Sequence, residues 1–180
     1  RKQFVNNNEG KLAMLAMVAN MDMPLTMKNK LIVSITGQLM SNELLNSVRE
    51  DEGAAYSPYS VGYIDRTYKD NATIQTSFGL NPDKYKTSET ATIKSLEKLS
   101  KDIPVAELKK MQEYMLKSYD ENIVENGYWL GVLESYVVDG EDMYTGYKKA
   151  VEELTVGDIE NFVDKLIKSE NRFEILMLPE

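Results

Sequence analysis

The sequence predicts an α+β fold in which helices pack on one face of a mixed, mainly antiparallel sheet. Strand and helix signals alternate in the order strand, helix, two strands, a run of helices and a last strand. Neither an internal repeat nor a low-complexity linker interrupts that order. With 180 residues and 42% hydrophobic side chains, the chain falls within the single-domain size range and can bury a substantial core.

Each element has its own local reason. Leu12 to Asp22 is continuously apolar and stops at Pro24, which suits a buried strand closed by a turn, although its Met and Ala content is equally compatible with a helix. From Leu25 to Val48, Leu31, Ile32, Ile35, Leu39, Met40, Leu44, Leu45 and Val48 recur at helical spacing, and Gly53 ends the run. Ala55 to Ile64 and Ala72 to Leu80 read as two antiparallel strands, the second alternating Ile74, Thr76, Phe78 and Leu80 on one face. Asn81-Pro82 then supplies an N-cap and a first helical residue for a helix to about Ser100.

Asp102 and Pro104 open a further helix with Leu108, Met111, Met115 and Tyr119 on one face, continuing towards Asn126 until Gly127 breaks it. Trp129, Leu130, Leu133, Tyr136 and Val137 outline a short helix ending at Asp139-Gly140, with Trp129 read first as core and second as part of a groove. Thr155 and Asp158 have capping-box spacing ahead of Ile159, Phe162, Val163, Leu166 and Ile167. Phe173 to Leu178 is the closing strand. Arg1 to Gly10 carries neither an initiator Met nor a strand or helix signal, and is read as the cut start of a piece of a longer protein.

Composition narrows the chemistry. A formal net charge of -8, with basic residues interspersed among acids, argues against a nucleic-acid footprint. No stretch approaches the roughly 20 apolar residues of a membrane-spanning helix. The chain has no His and no Cys, which removes the commonest transition-metal ligands and the usual acid/base switch. A Cys-free chain suits the cytoplasm and the bacterial periplasm alike.

Other candidates carry little. Glu50-Asp51-Glu52 reads as a solvated helix end, and Asp139-Gly-Glu-Asp142 lacks the ligand spacing of a calcium loop and reads as a turn. Ser34, Ser57 and Ser60 have no His to activate them, and no glycine-rich nucleotide motif occurs. The 11 Tyr and 10 Met fall mostly at helix or strand spacing, where core packing with a polar rim is the ordinary role.

One junction stands apart. The helix ending Asn42-Glu-Leu-Leu-Asn-Ser-Val-Arg49 is followed by Glu50, Gly53, Ala55-Tyr56-Ser57 and a strand. This context resembles the C-terminal, non-zinc-binding half of pitrilysin/insulinase-type inverted zincin metallopeptidases, and the step from Arg49 to Tyr56 matches the Arg/Tyr pair of that half. Asn81-Pro82, Leu154-Thr155 and Leu178-Pro179 fall at corresponding places, so the resemblance covers nearly the whole chain.

The resemblance implies the LuxS/insulinase-like peptidase-domain architecture, with residues 1–180 forming a single C-terminal peptidase-like domain, a truncated fragment of a larger multidomain protein whose first strand and helix lie before Arg1. It implies that Arg49 and Tyr56 hold peptide substrate and support the transition state, while no residue of this chain is catalytic or binds metal. Zinc is expected in the N-terminal half of the parent, which would carry the His-x-x-Glu-His motif, face this domain across a chamber and make this chain inactive alone. The expected partners are that half, or a partner subunit, and a peptide. A catalytically silent partner or scaffold of the same fold is the alternative. Read without the resemblance, Arg49 pairs with Glu50, Glu52 or helix-end carbonyls and Tyr56 caps the core.

Overall fold

The computed structural model describes residues 2–6, 11–51, 57–65, 70–140 and 142–179, with side chains described from residue 11 onward except those of 49–51 and 139. In chain order the strands are β1 (Lys2–Asn6), β2 (Ala13–Asp22), β3 (Tyr59–Asp65), β4 (Asn71–Leu80) and β5 (Arg172–Pro179). The helices are α1 (Met27–Leu44), α2 (Tyr85–Leu99), α3 (Val105–Asn122), α4 (Asn126–Asp139), α5 (Tyr147–Glu152) and α6 (Val156–Lys168). The sheet order is β1-β5-β2-β4-β3, antiparallel throughout except for the parallel β1–β5 pair. The expected mixed, mainly antiparallel sheet is therefore present.

Strand alternation decides which face meets the helices. Ala13, Leu15, Met17 and Ala19 of β2 are buried, as are Ala72, Ile74, Phe78 and Leu80 of β4 and Leu176 of β5. The register pairs Ala13 with Leu80, Leu15 with Phe78 and Ala19 with Ile74, so these side chains share one face. Onto it pack Ile35, Met40 and Leu44 of α1, Leu96 and Leu99 of α2 and Ile159, Phe162, Val163 and Leu166 of α6. Each such Leu, Ile or Phe withdrawn from water contributes about 1.5–3 kcal/mol.

The β3 edge of the sheet is closed by α1. A Cβ on Gly37 would stand 2.2 Å from the Gly62 amide nitrogen, and one on Gly62 would stand 1.9 Å from the Val33 carbonyl oxygen. Only glycine permits so close a crossing of helix and strand. One turn further on, the Ser41 hydroxyl accepts from the Ser60 N–H and donates to the Ser60 carbonyl, both at 2.8 Å. Backbone groups that could recruit another strand are thus occupied by a helix, a known way of protecting a sheet edge.

Caps set the helix boundaries. Thr26 caps α1 by accepting from the Asn29 N–H at 3.2 Å. Asn81 accepts from the Asp83 N–H at 3.1 Å, but Pro82 opens a 3₁₀ turn (Pro82–Lys84) before α2 rather than the α-helix itself. Thr155 and Asp158 form the expected capping box, and Lys28 reaches Asp158 at 2.7 Å. Burial opposes ionisation of Asp158, yet the hydrogen bonds from Lys28 and Thr155 outweigh it and hold the carboxyl below its usual range.

Three further expectations are corrected, and one helix has no counterpart in the sequence reading. Lys2–Asn6 is a strand, paired in parallel with β5 from Lys2↔Ile175 to Asn6↔Pro179. Gly127 does not break a helix but lies in the first turn of α4. The break falls at Ile123, whose carbonyl accepts the Trp129 indole N–H at 2.8 Å. Helix α5 went unread because its six residues bury only Val151. Trp129 and its neighbours are not core: Leu130, Leu133, Tyr136 and Val137 all face solvent.

Candidate functional site

Past Leu44, α1 continues as a π-helical segment, Leu45–Asp51. Its wider turn re-aims side chains relative to the α-helix before it, and such segments recur at functional sites. The segment is firmly seated, with Val48 fully buried and the Ser47 hydroxyl 2.9 Å from that of Ser95 on α2. Arg49 is the next residue, so its backbone is placed on this turn while its side chain lies outside the described ones. Tyr56 lies outside the described residues, as do Glu52 and Gly53. Chain description resumes at exposed Ser57 and buried Pro58, which leads into β3. The described residues that flank the junction include buried Val48 before it and buried Pro58 after it.

β3 carries the chain onto the sheet face opposite the helices. Register places Tyr59, Ser77, Ala16 and Ile175 in one row of that face, and Val61, Gln75, Val18 and Phe173 in the next. Beyond them Tyr63, Thr73 and Asn20 align, and then Asp65, Asn71 and Asp22. The face is thus graded along the strands. Tyr59, Met14, Phe173 and Ile175 make its exposed apolar end, nearest the junction, and Asn and Asp side chains make its polar end. A cleft of about 620 Å³ lies over the polar end, lined by Val18, Asn20, Asp22, Tyr63, Asp65, Asn71, Thr73 and Asn171. Within it Tyr63 donates to Gln75 Oε1 at 3.5 Å, Thr73 donates to Asn71 Oδ1 at 3.3 Å, and Asn171 donates to Asn20 Oδ1.

Such a face can hold an extended chain: exposed aromatic and apolar side chains at one end, and amide, hydroxyl and carboxylate groups at the other. Ser60 is buried on the helix side and accepts a hydrogen bond from Thr76 at 3.1 Å, a packing role. Asp142 Oδ1 accepts from the N–H groups of Tyr144 and Thr145, and the Thr145 hydroxyl hydrogen bond together with these amides lowers its pKa. Among the described residues no group of three or more Asp or Glu could hold a metal ion. With no His or Cys anywhere in the chain, its residues do not suit zinc.

The sequence profile described as the peptidase M16 inactive domain matches residues 1–115, which takes in the whole 49–57 junction. The chain belongs to that family. No curated protein matches the sequence of this M16 inactive domain. Among solved structures, the periplasmic protease PqqL from Escherichia coli superposes with a TM-score of 0.85 at 17% identity, over 98% of this chain and 20% of that one. The ferredoxin protease FusC, solved with Arabidopsis ferredoxin, gives 0.83 at 16% identity, over 99% and 20%. A peptidase M16 inactive domain from Pseudomonas fluorescens gives 0.78 at 15% identity, over 99% and 43%. These likenesses show the α+β M16 fold. The chain spans about a fifth of the first two relatives and under half of the third.

The open sheet face and its cleft were missed in the sequence. The signal that could have found them is the half of the strand alternation facing away from the core, where Tyr59, Tyr63 and Phe173 stand at positions a solvated face would fill with charge.

Proposed function

We propose that this chain is the substrate-gripping, non-catalytic C-terminal domain of a zinc-dependent endopeptidase that encloses peptides between two halves. The observation that carries this reading is the inactive-domain match, because it spans the junction bearing Arg49 and Tyr56. The π-helical segment that leads into the junction, seated by the buried Val48, and a sheet face suited to an extended chain support it further. Since this chain's residues do not suit the metal, zinc and the general base belong to the companion half.

The chain's own contribution is positional and electrostatic. Peptide hydrolysis gathers negative charge on the scissile carbonyl oxygen, and a fixed donor aimed there lowers the barrier. The phenol of Tyr56 is such a donor. The guanidinium of Arg49 forks onto a substrate carbonyl beyond the cleavage point and fixes the peptide's register. In the intact parent, Tyr56→Phe and Arg49→Ala each slow peptide turnover by about tenfold or more while the fold is kept. Normal turnover in both folded variants would remove the assignment.

A second reading is that the chain serves in a catalytically silent partner or scaffold subunit. It rests on the same absence of His and Cys. The upstream sequence of the same gene separates the two, since the endopeptidase requires a His-x-x-Glu-His motif and a further Glu ligand there.

A further inference from the structure

Helix α4 is apolar on every side yet is scarcely covered. Tyr128, Val132 and Ser135 turn inward towards Tyr119 and Tyr147, lining a crevice of about 380 Å³. Aromatic contacts hold the helix there, with Tyr128 edge-on to Tyr119 at 6.2 Å and Trp129 against Tyr144 at 4.8 Å. On its remaining surface Leu130, Leu133, Tyr136, Val137 and Val138 are 58–78% exposed. A helix apolar all round is normally one buried by its surroundings, and a contiguous apolar patch of this kind marks an interaction site.

The charge along this segment is one-sided, Lys30 of α1 lying on the inward crevice and not on the exposed surface of α4. From Ser118 to Tyr147 the sequence contains no Lys or Arg, while Asp120, Glu121, Glu125, Glu134 and Asp139 all fall within it. Lys117 and Lys148 from the flanks pair with Glu121 and Asp120. Among the described residues no cation pairs with Glu125 or Glu134. An anionic lipid surface would be repelled, since helices that lie on membranes carry Lys and Arg. A second copy of α4 would set acid against acid.

We infer that α4 docks into an apolar groove rimmed by Lys and Arg on the companion half of the parent protein. This rests on the two-half reading above and adds to it the element that joins the halves and the chemistry of the surface receiving it. Burial of the five exposed apolar side chains supplies the attraction, and Glu125 and Glu134 set the register against the cationic rim.

The test places a benzophenone side chain at Val137 in the intact parent protein and maps the photo-adducts by mass spectrometry. The inference expects adducts in the companion half, at an apolar segment flanked by Lys or Arg. It also expects Glu134→Lys to cut their yield by about threefold or more at low salt and by less at high salt, as screening predicts. Leu133→Asp should leave the melting temperature of the 180-residue chain within about 2 °C while abolishing the adducts. Adducts only to a second copy, only to lipid, or to no protein segment would overturn it, as would adducts in the companion half that Leu133→Asp and Glu134→Lys leave unchanged. The two-half substrate reading fails separately, through unaltered peptide turnover in Tyr56→Phe.

Discussion

The sheet with α1, and the outlying group formed by α4 and the aromatic rings that hold it, use apolar residues in opposite ways, while Leu108 and Met115 of α3 and Val151 of α5 belong to the core. In the first, Leu15, Ile35, Leu44, Phe78 and Leu176 meet one another and are at most 4% exposed. In the second, Leu130, Leu133 and Val137 of an equally apolar helix face water, while Tyr128 and Trp129 hold the helix against Tyr119 and Tyr144. The difference teaches that hydrophobic periodicity reports what a residue is for, not where its partner lies. In the first region the partner is this chain. In the second, on the inference above, it is another part of the parent protein.

The comparison breaks most violently at the α1–β3 crossing. Adding methyl groups there in the Gly37→Ala/Gly62→Ala double variant forces backbone apart and costs about 3 kcal/mol or more, a large share of the ~5–15 kcal/mol stability of such domains. Circular dichroism should find the melting temperature lowered by about 6 °C or more. An unchanged melting temperature in the double variant would mean that the helix does not close the sheet edge as described.

Paired truncations sharpen the contrast itself. Leu166→Ala, in the core, should lose roughly 2–5 kcal/mol by urea denaturation. Leu133→Ala, on the exposed side of α4, should lose within about 0.5 kcal/mol in the same chain. Equal losses would erase the distinction between the regions. A smaller effect is expected at the α6 cap, where Thr155→Ala should cost about 1 kcal/mol, lowering the melting temperature by about 2–4 °C.

The two regions should also answer to opposite ends of the pH scale. Asp158, on the α6 cap against the body, has a carboxyl pKa lowered on folding. The stability it lends is present above its unfolded value of 3.8 and is lost as pH falls through its folded value. Tyr119 anchors the outlying group. Burial among the neighbouring rings, with the hydrogen bond to Tyr144 and repulsion from the phenols and Asp120 adding to it, pushes its phenol up to about 12. That stabilisation is complete below 10 and is lost as pH rises towards 12. Fluorescence of the single Trp129, which packs on Tyr144, should therefore change in alkali before the far-ultraviolet signal of the body does. Simultaneous loss of both signals would make the outlying group part of the main cooperative unit.

Much of the body was legible because its residues answer to one another. The alternation of Ile74, Thr76, Phe78 and Leu80 required a strand, and the Thr155/Asp158 spacing required a cap. β1 was not legible, since five residues on a parallel edge with β5 carry no alternation of their own to read. Nor was the π-helical turn, because Leu44, Leu45 and Val48 suit an α-helix equally well and the change of hydrogen bonding has no apolar signature. Trp129 and its neighbours were misread as core because periodicity cannot distinguish a helix buried by its own chain from one awaiting a partner. Arg49 and Tyr56 came from family context alone, as a single cation and a single phenol have no spacing rule of their own. The sheet face beside them was written in the sequence, on the solvent side of the same alternation that revealed the core.

The most direct test compares peptide turnover by three purified samples at saturating zinc: this chain, the companion half, and the two together. A substrate-gripping, non-catalytic domain predicts no hydrolysis by this chain, little by the companion half, and a rise of about tenfold or more when they are combined. Zinc-dependent hydrolysis by this chain alone, or a companion half equally active without it, would contradict that claim.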